Sequence, residues 1–474
     1  MNEPALAART LVVLLGDWRG SGTTYRNLAD RIRLLILDGR IPSGTRLPAE
    51  RELAERLGLS RATISSAYRD LRERAVLHSV RGSGSVARIN PASLAREPGG
   101  RPVLLDLARA SLPAAPQLPE AALAAAEALP RYLDADSDPV GLPELRAAIA
   151  ARYSAQGLPT RPDQIMVTLG AQHAIGLVTR LFLARGDRAL IEHPSYPYAH
   201  DTMRALGARV VAVPVTAETG WDADELIDTV ERTSPALAYL MPDFHNPTGA
   251  SMPRDLRERL CRVAAKQGTV LLIDETTADL DIDRPGPMRP FAVDNRSGAE
   301  IITVGTVGKT LWAGIRLGWI RAEAATITRL VASRTRSDLG TSILEQLTVL
   351  EAFKAMPQIL ELRQRQLRAT RDVTVSYLSS RVPEWQIPHV HGGLALWVNL
   401  GTPVSSRLTL TARQHGLLLS AGPRFGADGA FERFLRIPIT GPSEVTETAL
   451  AALVDSWEEL RAAPDLELPP PGRY

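Results

Sequence analysis

The sequence predicts an α/β protein with two domains: a small helical domain at the N-terminus and a larger domain built on a mostly parallel β-sheet. The chain has 474 residues, more than one hydrophobic core usually supports. Apolar runs typical of buried strands, at residues 270–274 and 301–305, alternate with longer helical patterns. The first 88 residues instead contain helical patterns that end in one glycine-rich hairpin pattern.

The composition is that of a globular protein, with 45% hydrophobic and 23% charged residues. No apolar run approaches the roughly 20 residues that cross a membrane, and the N-terminus lacks the pattern of a signal peptide. Cys261 is the single cysteine, which excludes an internal disulfide and favours a core position. We therefore expect a cytoplasmic protein.

The charge of the chain is unevenly distributed. The net charge is +2, but residues 1–88 contain 15 Arg and 9 Asp or Glu, which is +6 for this segment and leaves −4 for the remainder. A basic segment ahead of a slightly acidic body indicates a nucleic-acid partner for that segment. A solvated basic surface would have the same charge, so the motifs must decide between the two.

The basic segment contains a helix-turn-helix pattern. Apolar residues recur at helical spacing from Leu28 to Ile36, and Gly39 lies where that helix would end. Two further amphipathic runs follow, separated by Gly58. Ser60 is positioned to cap the second run, because its hydroxyl can accept a hydrogen bond from a free backbone N–H.

The second of these runs has the features of a recognition helix. A first turn that enters the major groove must present polar groups to base edges and phosphates. That turn contains Ser60, Arg61, Thr63 and Ser65. The segment SVRGSGSV at 79–86 then predicts a tight hairpin, with Arg81 where a wing would reach the minor groove or the DNA backbone.

These motifs carry a family resemblance. LPAERELAERLGLSRATIS and the RGSGSV wing resemble the winged helix-turn-helix of the GntR family of bacterial regulators, over about residues 23–88. The resemblance implies that DNA is contacted by Arg51, Ser60, Arg61 and Thr63 and, in the wing, by Arg81 and Gly82. A helix-turn-helix used only for protein contacts is the alternative.

A linker is predicted between the two domains. Residues 89–103 are rich in proline, glycine and small residues and lack apolar periodicity. The predicted domains are therefore the DNA-binding domain at 1–88 and the large domain at 104–465. A proline-rich tail follows at 466–474.

Lysine is rare in this chain, since only Lys266, Lys309 and Lys354 occur among 55 basic side chains. A lysine amine forms a Schiff base with an aldehyde, whereas an arginine does not. Lys266 and Lys354 fall on helical patterns and are expected to face solvent. Lys309 follows the strand pattern at 301–305 within VGTVGKTLWAGIRLGW, where small residues allow a ligand to approach. Lys309 is therefore the candidate for a Schiff base.

Pyridoxal phosphate requires a lysine for its aldehyde, an acid at its pyridine nitrogen, donors for its phosphate and a side chain that stacks on its ring. The sequence offers a candidate for each requirement. A glycine turn leads into a helix in TLGAQHA, where free backbone N–H groups would bind phosphate. The other candidates are Asp274 for the nitrogen, Arg316 for the phosphate, Tyr196 for stacking and Asn246 for the phenolic oxygen.

These motifs, in this order, resemble the fold-type I aminotransferases over about residues 104–460. The motifs are DPVGLPELR, GAQHA, EHPSYP, PDFHNPTG, VGKT with IRLGW, and FLRIPI. The resemblance implies that Lys309 forms the Schiff base, that Asp274 pairs with the pyridinium and that Arg436 binds a substrate carboxylate. It also implies phosphate contacts from Ala171, Gln172, Thr306 and Arg316. A domain that no longer binds cofactor is the alternative.

Three positions depart from the family pattern. Thr276 stands where a tyrosine usually contacts the phenolic oxygen, and Gly308 replaces a serine that helps to hold the phosphate. Asp136 occupies the position of a tyrosine that reaches into the partner subunit's site. These changes imply weaker or retuned cofactor binding, with catalysis impaired before binding.

The order of the two domains is similar to that of the MocR subfamily of GntR regulators. That resemblance implies a homodimer, possible exchange of DNA-binding domains between subunits, pyridoxal phosphate as cofactor, and operator DNA and an amino compound as partners. Our hypothesis is that the amino compound forms an external aldimine, releases Lys309 and engages Arg436. The linker would then relay the resulting shift to the DNA-binding pair.

Two other functions are compatible with the sequence. One is a working aminotransferase with an incidental N-terminal domain, and the other is a DNA-binding protein whose large domain only dimerises. The regulator is favoured because an intact recognition turn has no role in transamination. The sequence identifies neither the effector nor the direction of regulation.

Overall fold

The structure is a computed structural model. It describes residues 5–16, 18–19, 23–80, 84–88, 105–134, 138–335, 338–426 and 429–462. Within these ranges, no helix has the length and apolar character of a membrane span. The predicted linker at 89–103, the tail at 466–474 and Asp136 lie outside the described residues.

The described part of the N-terminal domain contains four helices and a two-stranded hairpin. The elements are α1 (Ala8–Leu15), α2 (Thr24–Leu37), α3 (Glu50–Leu57), α4 (Arg61–Glu73), β1 (Leu77–Val80) and β2 (Gly84–Ala87). This arrangement confirms the predicted helix-turn-helix and the strands of the wing. Helix α1 was not predicted from the sequence. The wing residues Arg81 and Gly82 lie outside the described residues.

The N-terminal helices share one hydrophobic core. The apolar residues that predicted α2 are buried in it, together with the apolar faces of α1, α3 and α4. Ser60 caps α4 as predicted, because its Oγ accepts a hydrogen bond from the Thr63 backbone N–H at 3.1 Å. The Tyr68 hydroxyl of α4 donates to the Pro48 carbonyl at 2.9 Å, which fixes α4 to the turn before α3.

The large domain is built on an eight-stranded sheet of order β4-β11-β10-β9-β8-β5-β6-β7. The strands from β10 through β9, β8 and β5 to β6 are parallel, while β11, β4 and β7 pair antiparallel. This confirms the predicted mostly parallel sheet. The strands are β4 (Ile165–Thr168), β5 (Arg188–His193), β6 (Arg209–Thr216), β7 (Gly220–Trp221), β8 (Leu237–Leu240), β9 (Val270–Asp274), β10 (Ile301–Thr306) and β11 (Gly318–Arg321).

Helices cover both faces of this sheet. Successive strand residues point to opposite faces, so Leu271 and Ile273 join one apolar cluster and Leu272 joins the other. Lys266, on the sixth of these helices, is 72% exposed at its side chain, as predicted. The helices are α5 (Leu118–Ala128), α6 (Pro143–Ala155), α7 (Ala171–Phe182), α8 (Pro197–Ala205), α9 (Ala223–Thr233), α10 (Arg254–Gln267), α11 (Ala324–Arg334) and α12 (Ile343–Phe353).

A second, four-stranded sheet completes the large domain, with the order β12-β14-β13-β3. Its strands are β3 (Leu105–Leu107), β12 (Ala395–Asn399), β13 (Leu417–Ala421) and β14 (Phe434–Pro438). It packs on α13 (Met356–Arg381), α14 (Ser405–Gln414) and α15 (Ser443–Ala462). Strand β3 pairs parallel with β13, so the first described residues of the large domain join a sheet made by its last third.

The two domains pack directly against each other, with α2 in contact with α14. Arg31 of α2 is 4% exposed, and its Nε donates to the Leu15 carbonyl at 3.0 Å. Its Nη1 lies 3.9 Å from Oε1 of Glu432 in the large domain. A Cβ placed on Gly429 would lie 2.9 Å from Nη2 of Arg31, so the two surfaces are in close contact.

Candidate functional site

The sheet brings the predicted cofactor residues to one edge. Strands β9 and β10 are parallel, so Asp274 and Thr306 at their carboxyl ends lie at the same edge of the sheet. A cavity of about 260 Å³ opens at that edge. The predicted residues that line it are Ala171, Tyr196, Asn246, Asp274, Thr306, Lys309 and Arg436. Gln172 and Arg316 were also predicted, but they are not among the residues that line the cavity.

Lys309 follows β10 and projects into the cavity. Its Nζ donates to the carbonyl of Ala110, in the segment between β3 and α5, at 3.2 Å. The pKa of Lys309 is lowered to about 8 by the combined effects of burial, which is the largest, and the charges of Arg436 and Arg316, while the charge of Asp274 opposes the shift. An amine that loses its proton near pH 8 is a better nucleophile toward an aldehyde than an ordinary surface lysine.

Asp274 is 2% exposed at the end of β9. One of its oxygens accepts a hydrogen bond from the Tyr239 hydroxyl at 2.6 Å, and the other accepts one from the Thr276 N–H at 2.9 Å. Burial raises the pKa of this carboxyl, while the bonds from Thr276 and Tyr239 and the charge of Lys309 lower it. A buried carboxylate of this kind is stabilised by a cationic partner such as a protonated ring nitrogen.

Tyr239 is a site residue that the sequence analysis missed. It lies on β8 beside Leu272 of β9, which brings its hydroxyl to Asp274. Thr276, at the position where relatives have a tyrosine, lines the cavity and donates its backbone N–H to the same carboxylate. A tyrosine within the apolar strand pattern LAYL was the available signal, since a buried hydroxyl requires a polar partner.

The start of α7 forms a cradle with the shape and charge for a phosphate. Gly170 precedes the helix with φ 87°, and the first N–H groups of a helix lack partners within it. A Cβ on Gly318 would lie 2.8 Å from the Gly170 carbonyl carbon and 3.0 Å from the Ala171 nitrogen, so β11 requires glycine there. Arg316 adds positive charge and donates to the Leu169 carbonyl at 3.4 Å.

The Thr306 hydroxyl is already engaged beside this cradle. It donates to the Leu317 carbonyl at 2.7 Å and accepts the Gly308 N–H at 3.0 Å. The predicted phosphate contact therefore requires this hydroxyl to rotate away from Leu317. A Cβ on Gly308 would lie 3.2 Å from the same hydroxyl, so the glycine that departs from the family pattern fits tightly against Thr306.

Two further predicted residues, Gln172 and Tyr196, lie next to α8. Gln172 directs its side-chain amide to the Thr202 hydroxyl at 3.0 Å and the Tyr198 carbonyl at 3.4 Å, which leaves its backbone N–H as the predicted phosphate contact. Tyr196 precedes α8 and lines the cavity, with its ring centroid 5.5 Å from that of Tyr198. Burial and the charge of Asp274 raise the pKa of Tyr196, which keeps its hydroxyl protonated.

Arg436 is the cationic end of the cavity. It lies on β14, is 8% exposed, and donates from Nη2 to the Ala108 carbonyl. Burial lowers its pKa to about 10. Its Nε is buried without a hydrogen-bond partner among the described residues. A buried guanidinium with an available N–H is suited to a ligand carboxylate.

The segment after β13, referred to below as the rim, contacts two residues that line the cavity and was not predicted. The Phe425 ring lies 4.8 Å from the Arg436 guanidinium carbon, and the Phe425 carbonyl accepts the Ser195 N–H at 3.0 Å. The guanidinium of Arg424 lies 5.0 Å from the Tyr198 ring. These contacts join the rim to both Arg436 and α8.

The predicted DNA-contacting residues of the helices lie near the helix-turn-helix turn. Arg51 is in the first turn of α3 and Arg61 is the first residue of α4, and both are exposed. Ser60 is exposed and Thr63 is partly buried, and their hydroxyls lie 2.8 Å apart. Their contacts with DNA remain predictions.

Comparison with known families agrees with this architecture. Residues 107–453 match aminotransferase class I and II, and residues 24–86 match the bacterial regulatory proteins of the gntR family. The chain belongs to the class I and II aminotransferase family, whose fold is pyridoxal-phosphate-dependent, and carries a GntR-type helix-turn-helix at its N-terminus. This confirms the predicted fold class and the combination of domains.

The relatives include both regulators and enzymes. The chain is 26% identical over 434 residues to the uncharacterized HTH-type transcriptional regulator YdfD of Bacillus subtilis, which covers 84% of this chain and 89% of YdfD. It is 29% identical over 325 residues to the probable rhizopine catabolism regulatory protein MocR of Rhizobium meliloti, with 62% and 64% coverage. These two matches confirm the predicted resemblance to MocR-type regulators.

A crystal structure of an aminotransferase also resembles the large domain. LysN, an alpha-aminoadipate aminotransferase from Thermus thermophilus, aligns with a TM-score of 0.70 and 29% identity, over 76% of this chain and 93% of LysN. That structure contains N-(5'-phosphopyridoxyl)-L-leucine.

The burial of Lys309 leads to a prediction about pH. We expect its amine to titrate with a midpoint near pH 8 rather than near the ordinary value of 10.5, because burial destabilises the ammonium form. The measurement is the pH dependence of the ¹³C-methyl NMR signals of reductively methylated protein, with Lys309 assigned by loss of its signal in Lys309→Ala. A Lys309 midpoint near 10.5 would contradict the prediction.

Proposed function

We propose that this protein is a transcription regulator that binds operator DNA through α4 and the wing, holds pyridoxal phosphate at Lys309, and responds to an amino compound that enters the same cavity. One observation carries the proposal. A single chain combines an exposed polar recognition turn at Ser60 and Arg61 with a half-buried lysine and a buried aspartate that follow neighbouring strands and line one cavity.

The residues around the cavity fit the cofactor. Asp274 offers a negative charge where the ring nitrogen would lie, the turn at Gly170 offers backbone N–H groups to the phosphate, and Tyr196 offers an aromatic face. Pyridoxal phosphate, when bound, supplies an aldehyde that can be transferred from one amine to another. The presence of a phosphopyridoxyl amino acid in LysN supports the assignment.

The same cavity favours an amino compound that carries a carboxylate. Arg436 has an available N–H near Lys309, and its charge contributes to the lowered pKa of that lysine. A carboxylate bound at Arg436 would place the amine of a small amino acid toward the lysine. We propose a homodimer as well, since the MocR resemblance implies one and two recognition helices would then read two half-sites.

The contacts between the domains suggest how cavity occupancy reaches the DNA-binding domain. Phe425 contacts Arg436, and six residues later Phe431 packs on His193, with ring centroids 4.6 Å apart. The adjacent Glu432 pairs with Arg31 of the DNA-binding domain and accepts the Ser406 N–H at 2.9 Å. Phe425 and Glu432, seven residues apart in one segment, therefore contact the proposed carboxylate site and α2, respectively.

A second contact runs in parallel. Asp38, which directly follows α2 and is exposed, interacts electrostatically with Arg424 and Arg413 of the large domain. Arg424 also stacks on Tyr198 at the rim of the cavity. We propose that a ligand which moves the rim changes both contacts and so biases the position of the DNA-binding domain.

The cofactor assignment predicts an optical signal. Pyridoxal phosphate added to the purified protein should produce the absorption band of cofactor joined covalently to a lysine. Lys309→Ala should abolish it, whereas Lys354→Ala, at a side chain that is 71% exposed, should not. A wild-type protein without the band would refute the assignment, and sustained turnover with an amino donor and a keto acid would favour the aminotransferase instead.

The DNA assignment predicts a loss of affinity. On a duplex selected by the wild-type protein from random DNA, Arg61→Ala should weaken binding by roughly 5- to 150-fold, the effect of losing one specific contact. Binding should also weaken as salt rises. The control is Arg365→Ala, an exposed arginine of α13, for which no change is expected. Equal affinities of wild type and Arg61→Ala would contradict the proposal.

The interdomain contact predicts a loss of coupling. The ratio of DNA affinities measured with and without pyridoxal phosphate should differ from 1 in the wild type and move toward 1 in Glu432→Gln, because the neutral amide weakens the pair with Arg31. The absorption band should persist in that variant. Glu458→Gln, at an exposed position of α15, is the control. An unchanged ratio in Glu432→Gln would exclude this route.

A further inference from the structure

Two histidines and an aspartate converge on the surface of the large domain, away from the residues assigned above. His389, His391 and Asp283 each offer a ligand atom, and the three atoms lie within 4.8 Å of one another. Imidazole nitrogens together with a carboxylate oxygen are donors that zinc and related divalent metals prefer. We propose that these residues form a binding site for a divalent transition metal of the zinc type.

The two histidines lie at the same surface of the large domain, on either side of a buried residue. His389 and His391 flank Val390, which is 1% exposed, while both histidines are exposed. The alternation of exposed, buried and exposed residues from 389 to 391 places both imidazoles at the surface. Their ring centroids lie 4.8 Å apart at an interplanar angle of 82°.

Hydrogen bonds fix the aspartate segment against the histidine segment. The backbone N–H groups of Ile282 and Asp283 both donate to the His391 carbonyl, at 2.9 and 3.1 Å. Asp281 and Gly392 form an antiparallel bridge beside them. The donor atoms are thus carried on two segments whose backbones are already joined, which lowers the entropic cost of assembling the site.

A hydrogen bond from Arg371 also orients the Asp283 carboxylate. Its Oδ2 accepts a hydrogen bond from Nη1 of Arg371 at 2.7 Å, and its Oδ1 lies 2.9 Å from Nδ1 of His391. Ligating carboxylates commonly have such an outer partner. The Arg371 charge is further balanced by Asp372, whose carboxylate accepts from Nε at 2.8 Å. Asp283, Arg371 and Asp372 thus form a chain of ion pairs beside the imidazoles.

The Asp283–His391 pair requires little adjustment to accept an ion, whereas the three ligand atoms together, which lie within 4.8 Å of one another, must draw closer. Two ligands bonded to one tetrahedral zinc at about 2.0–2.1 Å lie roughly 3.3 Å apart. Insertion of a metal between Asp283 Oδ1 and His391 Nδ1, now 2.9 Å apart, therefore needs a separation of a few tenths of an ångström. Three protein ligands leave the remaining positions to water.

The proposed metal site lies next to two segments that line the cofactor cavity. Two residues beyond His391, Gly393 lines the cofactor cavity, and its N–H donates to the Leu280 carbonyl at 2.8 Å. Thr276 and Thr277, on the chain leading to Asp283, line the same cavity. A bound ion would therefore join two segments of the cavity wall.

The test uses the full-length, untagged protein after treatment with a chelator, in the absence of cofactor and DNA. Zinc affinity is measured by competition with a chromophoric chelator, and Co²⁺ absorption reports on the coordination. We expect one Zn²⁺ per chain in the wild type, with affinity lowered more than about tenfold in His391→Ala and in Asp283→Asn. His415→Ala, at a histidine that pairs with Glu459 elsewhere, should bind as the wild type does.

Zinc should also raise the thermal midpoint of the wild type and not of His391→Ala, because a ligand that binds only the folded state stabilises it. The absence of stoichiometric zinc binding, or binding that is unchanged in both variants, would overturn the proposal. Since neither cofactor nor DNA enters the test, its failure would leave the proposed regulatory function intact, and the converse also holds.

Discussion

Parallel pairing of β9 with β10 is the constraint on which the site depends. The register places Val304 beside Asp274, so the chain leaving β10 carries Lys309 to the sheet edge where the carboxylate ends its own strand. The cradle at Gly170 requires one more contact, between β11 and the start of α7, where Gly318 leaves no room for a side chain. Helices bury both faces of the sheet, and the cavity lined by Asp274, Thr306 and Lys309 lies at its edge.

The charges around the cavity are balanced for a ligand with both signs. Burial raises the pKa of Asp274 and lowers those of Lys309 and Arg436, so each group is less stable in its charged form than at the surface. A bound group with a cationic nitrogen, an anionic phosphate and an adjacent carboxylate would compensate these costs together. The departures at Thr276 and Gly308 leave this balance intact, and Tyr239 supplies a hydroxyl to the aspartate from another strand.

The packing of the N-terminal domain against the large domain physically connects the proposed DNA-binding site with the proposed cofactor site. Arg31 is almost fully buried, so its charge must be compensated within the protein, and Glu432 is the acidic partner in the large domain. The same short segment carries Phe425, which contacts Arg436. Relay through the linker remains a prediction, since residues 89–103 lie outside the described residues, but the direct contact already joins the two domains.

The sequence alone was enough to identify both domains, the cap at Ser60, the strand ending in Asp274 and the position of Lys309 after a neighbouring strand, because these follow from local spacing and from residue chemistry. It did not reveal Tyr239, the rim at Phe425, the pairing of Arg31 with Glu432 or the grouping of His391 with Asp283. In each of these pairs or contacts, residues from separate elements meet only because of strand order and domain packing. No local pattern encodes such distances, and the tertiary structure alone determined them.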